Sequence, residues 1–233
     1  MDTPILFTGF PKQALTFFRD LSQNNNKTWF DQHKEVYEQQ ILVPARDFIV
    51  AMGDKLKKIA PGIQADPRVN KSLFRLNRDI RFSHDKTPYK THLGIWFWEG
   101  SGPRMECSGF YFHLEPDKFM LGSGLYCFPK DLLETYRQSV VHPIHGPALA
   151  KIIKGIKKQE GYYYGGQHFK KTPHGFDPKH PNAEFLLYNG LYAGIEMPTT
   201  TELFSSGLVD LCFEHYKKMV PLHRWLLALT ERV

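Results

Sequence analysis

The stretch from Arg75 to Gly94, RLNRDIRFSHDKTPYKTHLG, gathers ten ionisable or imidazole-bearing side chains in twenty residues. Arg75, Arg78 and Arg81 are spaced by three. On a helix they would form one crowded cationic stripe, and in an extended chain Arg78 would point away from the other two. In either conformation Asp79 and Asp85 cannot neutralise all of the positive charge, because Lys86 and Lys90 add to it. A guanidinium presents a planar fork that suits phosphate or carboxylate. The spacing therefore predicts an anion-binding pocket made of Arg75, Arg78, Arg81, Lys86, Tyr89 and Lys90, stiffened by Pro88. If the pocket is catalytic, Asp85 is the candidate general acid or base, and His84 and His92 are the neighbours able to titrate near neutrality. The arginines and Lys86 would then stabilise negative charge, with Lys90 and Tyr89 positioning it.

The same residues allow two other readings. Arg and Asp in one local sequence also make internal ion pairs that brace a loop without any ligand. Alternatively, a nucleic-acid-binding module results if the basic segments meet on one face. An anionic small molecule is the leading partner, and nucleic acid is the second.

A second element lies in KTPHGFDPKHPN, where Lys171, His174, Asp177 and His180 could join an anion site. The two histidines and the aspartate are spaced by three, but the three prolines and one glycine around them suit a rigid turn better than a metal site. No GxSxG, phosphate-cradling glycine loop, HExxH or dinucleotide fingerprint occurs, so neither metal nor cofactor is expected. Trp96, Trp98 and Tyr162 to Tyr164 could stack on bases, yet their strand-like spacing places them more readily in a core.

Arg75 to Gly94 resembles the signature RxxRDxRFxxDKxPYKxNxG of a widespread, mostly bacterial family of uncharacterised proteins, a domain of unknown function. Arg75, Arg78, Asp79, Arg81, Phe82, Asp85, Lys86, Pro88, Tyr89, Lys90 and Gly94 match it, and His92 stands where the pattern has Asn. Asn26, Lys27, Trp29 and Phe30 resemble the family's NKxWF element, and Lys171, Pro173, Gly175, Phe176, Asp177, His180 and Pro181 resemble a later one. The resemblance covers nearly the whole chain and implies no activity.

These segments carry the charge asymmetry of the 233-residue chain, whose 30 Lys and Arg exceed its 24 Asp and Glu by a net +6. Arg68 to His92 holds seven basic residues against two acidic ones, a local +5, and Lys151 to His180 repeats that count. The remaining 178 residues are net −4. No apolar run approaches the roughly 20 residues of a membrane span, and MDTPILFTGFPK lacks the sections of a signal peptide, so a cytoplasmic chain without membrane contact is expected. Cys107, Cys127 and Cys212 are far apart and form no CxxC, which predicts reduced, mostly buried thiols.

The supporting elements follow from periodicity. Residues 10 to 60 read as a short helix opened by Pro11, then a longer one capped by Asn26 and kinked at Pro44. His92 to Trp98, Met105 to Leu114 and Lys118 to Cys127 alternate and are joined by tight turns, as in an antiparallel meander. Helices opened by Pro129 and Pro147 follow, then strands over Tyr162 to Lys171 and Leu191 to Met197, and a last helix from Thr200 that Pro221 interrupts. The pattern predicts a single α+β domain over residues 1–233. Residues 10–60 are its helical part, 73–127 hold the signature loop and strands, and 129–233 hold helices with further strands.

Overall fold

The computed structural model describes residues 6–230. The opening five residues of the stretch lacking signal-peptide character lie outside them. Helix α1 (Lys12–Gln23) begins after the extended Pro11 and buries Ala14, Leu15, Phe17, Phe18 and Leu21. Helix α2 (Lys27–Gln32) starts at Asn26, whose side chain accepts the Trp29 N–H at 3.0 Å. The long kinked helix expected from Asn26 onward is instead broken. His33 separates α2 from α3 (Lys34–Tyr37), and a π-helical turn over Glu38–Leu42 leads into α4 (Val43–Leu56). The π turn absorbs one extra residue just before Pro44, which sits in the first turn of α4 where its missing N–H costs little.

Among the described residues the strands are β1 (Ile63–Gln64), β2 (Leu93–Glu99), β3 (Gly109–Leu114), β4 (Lys118–Leu125), β5 (Tyr162–Gln167) and β6 (Tyr188–Pro198). They form one sheet in the order β1-β2-β3-β4-β6-β5. The β2–β3–β4 meander matches the alternation of the sequence, and its last turn is closed by Glu115 N–H to Lys118 O at 2.9 Å. Both faces of β2 are covered, since every residue from Leu93 to Trp98 is buried. In β3, by contrast, Phe110, Phe112 and Leu114 are buried while Tyr111 and His113 are only half-buried. The β5–β6 pair carries a bulge at Gly166, where φ is +111° and a Cβ would stand 2.1 Å from Gly190 O.

Helices α5 (Lys130–Val141) and α6 (His145–Lys157) follow the meander. Leu149, Ile153 and Ile156 form the buried stripe of α6, with Lys151, Lys154 and Lys157 outside it. Helix α7 (Gly207–Leu227) passes straight through Pro221, against the expected interruption. Pro221 and Lys217 both lie on the exposed side, so the missing backbone bond is lost next to solvent while Leu222, Trp225 and Leu226 stay buried. The architecture is α+β, with helices at both ends of the chain.

The chain forms two compact units, neither continuous in sequence. One comprises the described residues up to Phe97 together with Tyr111–Leu121 and Glu196–Glu214. Its core is aromatic. Phe10 stacks on Phe112 at 5.8 Å, and Phe48 lies 4.8 Å from Phe112 and 6.4 Å from Phe97. The other comprises Trp98–Phe110, Gly122–Ile195 and the described residues from His215 onward. There Tyr136 stacks on Phe128 at 4.5 Å, meets Trp225 edge-on and donates its hydroxyl to Phe185 O at 2.9 Å.

Candidate functional site

The signature segment is neither helix nor sheet strand. Its ends run antiparallel to each other: Arg78 N–H donates to Pro88 O at 2.8 Å and Lys90 N–H to Leu76 O at 2.9 Å, with Asn77 opposite Tyr89. Residues 79–87 form the loop between them. The base of the loop is anchored from the N-terminal helices. Asn25 Nδ2 donates to Tyr89 O at 2.9 Å, Tyr89 N–H donates to Asn25 Oδ1 at 3.0 Å, and the Phe30 ring stacks on Tyr89 at 4.5 Å. Tyr89, read as a ligand-positioning residue, is buried in this anchor.

Most cations of the segment already have partners. Arg78 Nη1 donates to Asp85 Oδ2, to the Thr87 hydroxyl and to Thr87 O, and Nη2 lies 3.4 Å from the Ser83 hydroxyl. Asp85 also accepts the Thr87 N–H at 2.9 Å. The Thr87 N–H, its hydroxyl and Arg78, in that order, hold the Asp85 carboxyl below the usual range. Arg81 grips Asp79 with Nε and Nη2 at 2.9 and 2.7 Å, and this fork pushes the Asp79 carboxyl down to about 2. Lys86 Nζ donates to Ile80 O at 2.9 Å, and Lys90 Nζ lies over the Phe74 ring at 5.3 Å. Arg75 is exposed and, among the described residues, forms no ion pair or hydrogen bond.

The three candidate acid–base residues are not drawn together by any hydrogen bond among the described residues. His84 is exposed. His92 stacks on His113 at 4.2 Å, and burial, then the neighbouring His113, push its imidazole down to about 4. It is therefore neutral at pH 7. His113 belongs to a chain that sequence reasoning missed: its Nδ1 lies 2.9 Å from the Tyr111 hydroxyl and its Nε2 2.8 Å from Glu115 Oε1. Gly94 makes room for that hydroxyl, since a Cβ there would stand 3.0 Å from it. The period-2 spacing of Tyr111, His113 and Glu115 was the available signal.

A second arrangement missed from sequence lies in the other unit. Ser108 Oγ lies 2.9 Å from His223 Nδ1, and His223 Nε2 lies 2.7 Å from Glu99 Oε2. His223 is fully buried, Ser108 nearly so, and the Phe110 ring lies 4.8 Å from the imidazole. The network satisfies a core histidine, with Ser108 and His223 buried and the Glu99 side chain 12% exposed.

The second sequence element builds an open groove of about 540 Å³. Lys170, Lys171 and His174 line it, with apolar walls from Pro173, Phe176 and Leu187. Leu187 O accepts the His168 and Phe169 N–H groups, both at 2.9 Å, which fixes the start of the loop. Asp177 and His180 do not line the groove. Asp177 accepts the Lys179 N–H at 2.8 Å and His180 Nδ1 the Asn182 N–H at 3.1 Å, so both shape the turn. Lys170, Lys171 and His174 are exposed and, among the described residues, carry no ion pair. Lys170 was not singled out from sequence, because nothing in its spacing separates it from any other surface lysine.

Among the described residues no group of three His, Cys, Asp or Glu gathers to hold a metal ion, and no helix is long and apolar enough to cross a membrane. Cys107 and Cys212 are buried and Cys127 is exposed; all three are free thiols. A search of the curated proteins returns no match. The profile of the conserved hypothetical protein family DUF2461 matches residues 13–225, so the chain belongs to that family.

Proposed function

We propose that this member of the DUF2461 family binds a small phosphate- or carboxylate-bearing molecule in the groove of residues 170–178, while the signature segment serves mainly as an internally paired brace. The observation that carries the reading is the contrast between the two cationic elements. In the signature, Arg78, Arg81 and Lys86 are hydrogen-bonded to Asp85, Asp79 and Ile80 O, so an incoming anion must displace partners already in place. Around the groove, Lys170, Lys171 and His174 surround about 540 Å³ of open space, and no carboxylate lines it. Donors with no internal partner lose nothing but water when an anion arrives. The apolar walls of Pro173, Phe176 and Leu187 favour a ligand with a compact carbon skeleton behind its charge.

Isothermal titration with inorganic phosphate, pyrophosphate and citrate tests the reading. Binding is expected for at least one of them and is expected to be lost in the Lys170→Ala/Lys171→Ala double variant. Affinity that survives that pair of changes, or disappears in a folded Arg78→Ala protein, would return the site to the signature segment.

A further inference from the structure

Phe82 is the most exposed large apolar side chain among the described residues, at 93%. It sits in the signature loop, and that loop is held rather than slack. Arg78 ties Asp85, Thr87 and Ser83 together, and Lys86 closes the loop by bonding Ile80 O. One face of the Phe82 ring is backed by the Arg81 guanidinium, 5.7 Å from the centroid, which the two bonds to Asp79 keep in place. The remainder of the ring faces water. Arg75 is exposed nearby in sequence without an ion pair among the described residues, and the surrounding segment carries the local +5.

We propose that this loop is a docking tip for single-stranded nucleic acid, with Phe82 as the platform on which one unpaired base stacks and Arg75 as a phosphate contact. A base on the open face would complete a guanidinium–phenyl–base stack, in which the cation lies over one side of the ring and the nucleobase over the other. A duplex offers no such face, because its bases are stacked on one another. Charge complementarity favours a polyanion. An anionic bilayer fits less well: a tip that inserts carries its rim with it, and Asp79 and Asp85, both exposed and each three residues from Phe82, would enter the headgroup layer. The proposal uses residues separate from the 170–178 groove and stands or falls apart from it.

Fluorescence anisotropy of the full chain with a labelled single strand of about a dozen nucleotides, at about 50 mM salt, tests it. Binding is expected to weaken steeply as salt is added. Phe82→Ala is expected to weaken it about tenfold without changing thermal unfolding. Phe82→Trp is expected to retain binding and to show quenched indole emission in the complex. The proposal is overturned by no binding at low salt, by binding that Phe82→Ala leaves unchanged, or by Phe82-dependent binding to phosphatidylserine vesicles in place of the oligonucleotide.

Discussion

The side-chain amide of Asn25 clasps the backbone of Tyr89, giving a hydrogen bond to its carbonyl at 2.9 Å and taking one from its N–H at 3.0 Å, across 64 residues of sequence. These two bonds, with the Phe30 ring on Tyr89, fasten the base of the signature loop to the N-terminal helices. Removing the amide leaves both backbone groups in a part-buried place without partners. Asn25→Ala is therefore expected to cost about 1–3 kcal/mol of stability, with Asn25→Asp costing less because it keeps the acceptor. Urea unfolding midpoints of the two variants check the order.

Arg78 and Arg81 look equivalent in the sequence, yet they differ in what depends on them. The Arg78 side chain is 26% exposed and joins Asp85, Thr87 and Ser83, whereas Arg81 is 76% exposed and holds only Asp79. Arg78→Ala is expected to destabilise by about 1–3 kcal/mol, since it leaves Asp85 without its cation and the Thr87 carbonyl without its donor. Arg81→Ala should leave the thermal midpoint unchanged within error. Equal effects of the two changes would contradict the brace.

His92 supplies a pH dependence whose sign is fixed. Its imidazole is held at about 4 in the folded chain against an ordinary value of 6.5, so between those values the unfolded chain binds more protons. The stability associated with its neutral form is fully present above about pH 6.5 and is lost as the pH falls toward 4, by an amount on the order of 3 kcal/mol. His92→Asn should flatten this part of the stability–pH curve. The ring carbons of His92 should titrate near pH 4 by NMR, and titration near 6.5 would show that the ring is not buried against His113.

Gly94 is adjacent to both Tyr111 and Phe74. A methyl group there would stand 3.0 Å from the Tyr111 hydroxyl and 3.2 Å from the Phe74 ring. Gly94→Ala is expected to cost about 1–3 kcal/mol through overpacking and to detach the Tyr111 hydroxyl from His113. A shifted His113 ring resonance together with a lower thermal midpoint is the expected signature.

How much of this was legible from residues alone varied with the range of the interaction. Helices α1 and α6 and the β2–β4 meander follow from local spacing, because 3.6-residue and 2-residue periods survive without knowledge of the fold. The π turn before Pro44 and the unbroken run of α7 through Pro221 did not. The first depends on one extra residue being absorbed ahead of the proline, the second on Pro221 lying on the exposed side of its helix. Internal Arg–Asp pairing was one of three readings the motif allowed, but only geometry shows that Arg78 takes Asp85 and Arg81 takes Asp79 while Arg75 forms no ion pair or hydrogen bond among the described residues. His92 was expected to titrate near neutrality because that is where an unperturbed imidazole titrates. Its ring instead lies against His113, more than twenty positions away, where burial decides its charge. Lys171 and His174 were marked by motif, whereas Lys170 is found only by the groove it lines.

The central claim, that small anions dock at residues 170–178 and not at the paired signature cations Arg78, Arg81 and Lys86, is tested most directly by an amide NMR titration of the full chain with inorganic phosphate. The account predicts saturable shifts concentrated at Lys170, Lys171, His174 and Gly175, with Arg78, Arg81 and Asp85 unmoved. Shifts concentrated at Arg75 to Lys90, with the 170–178 amides silent, would contradict it.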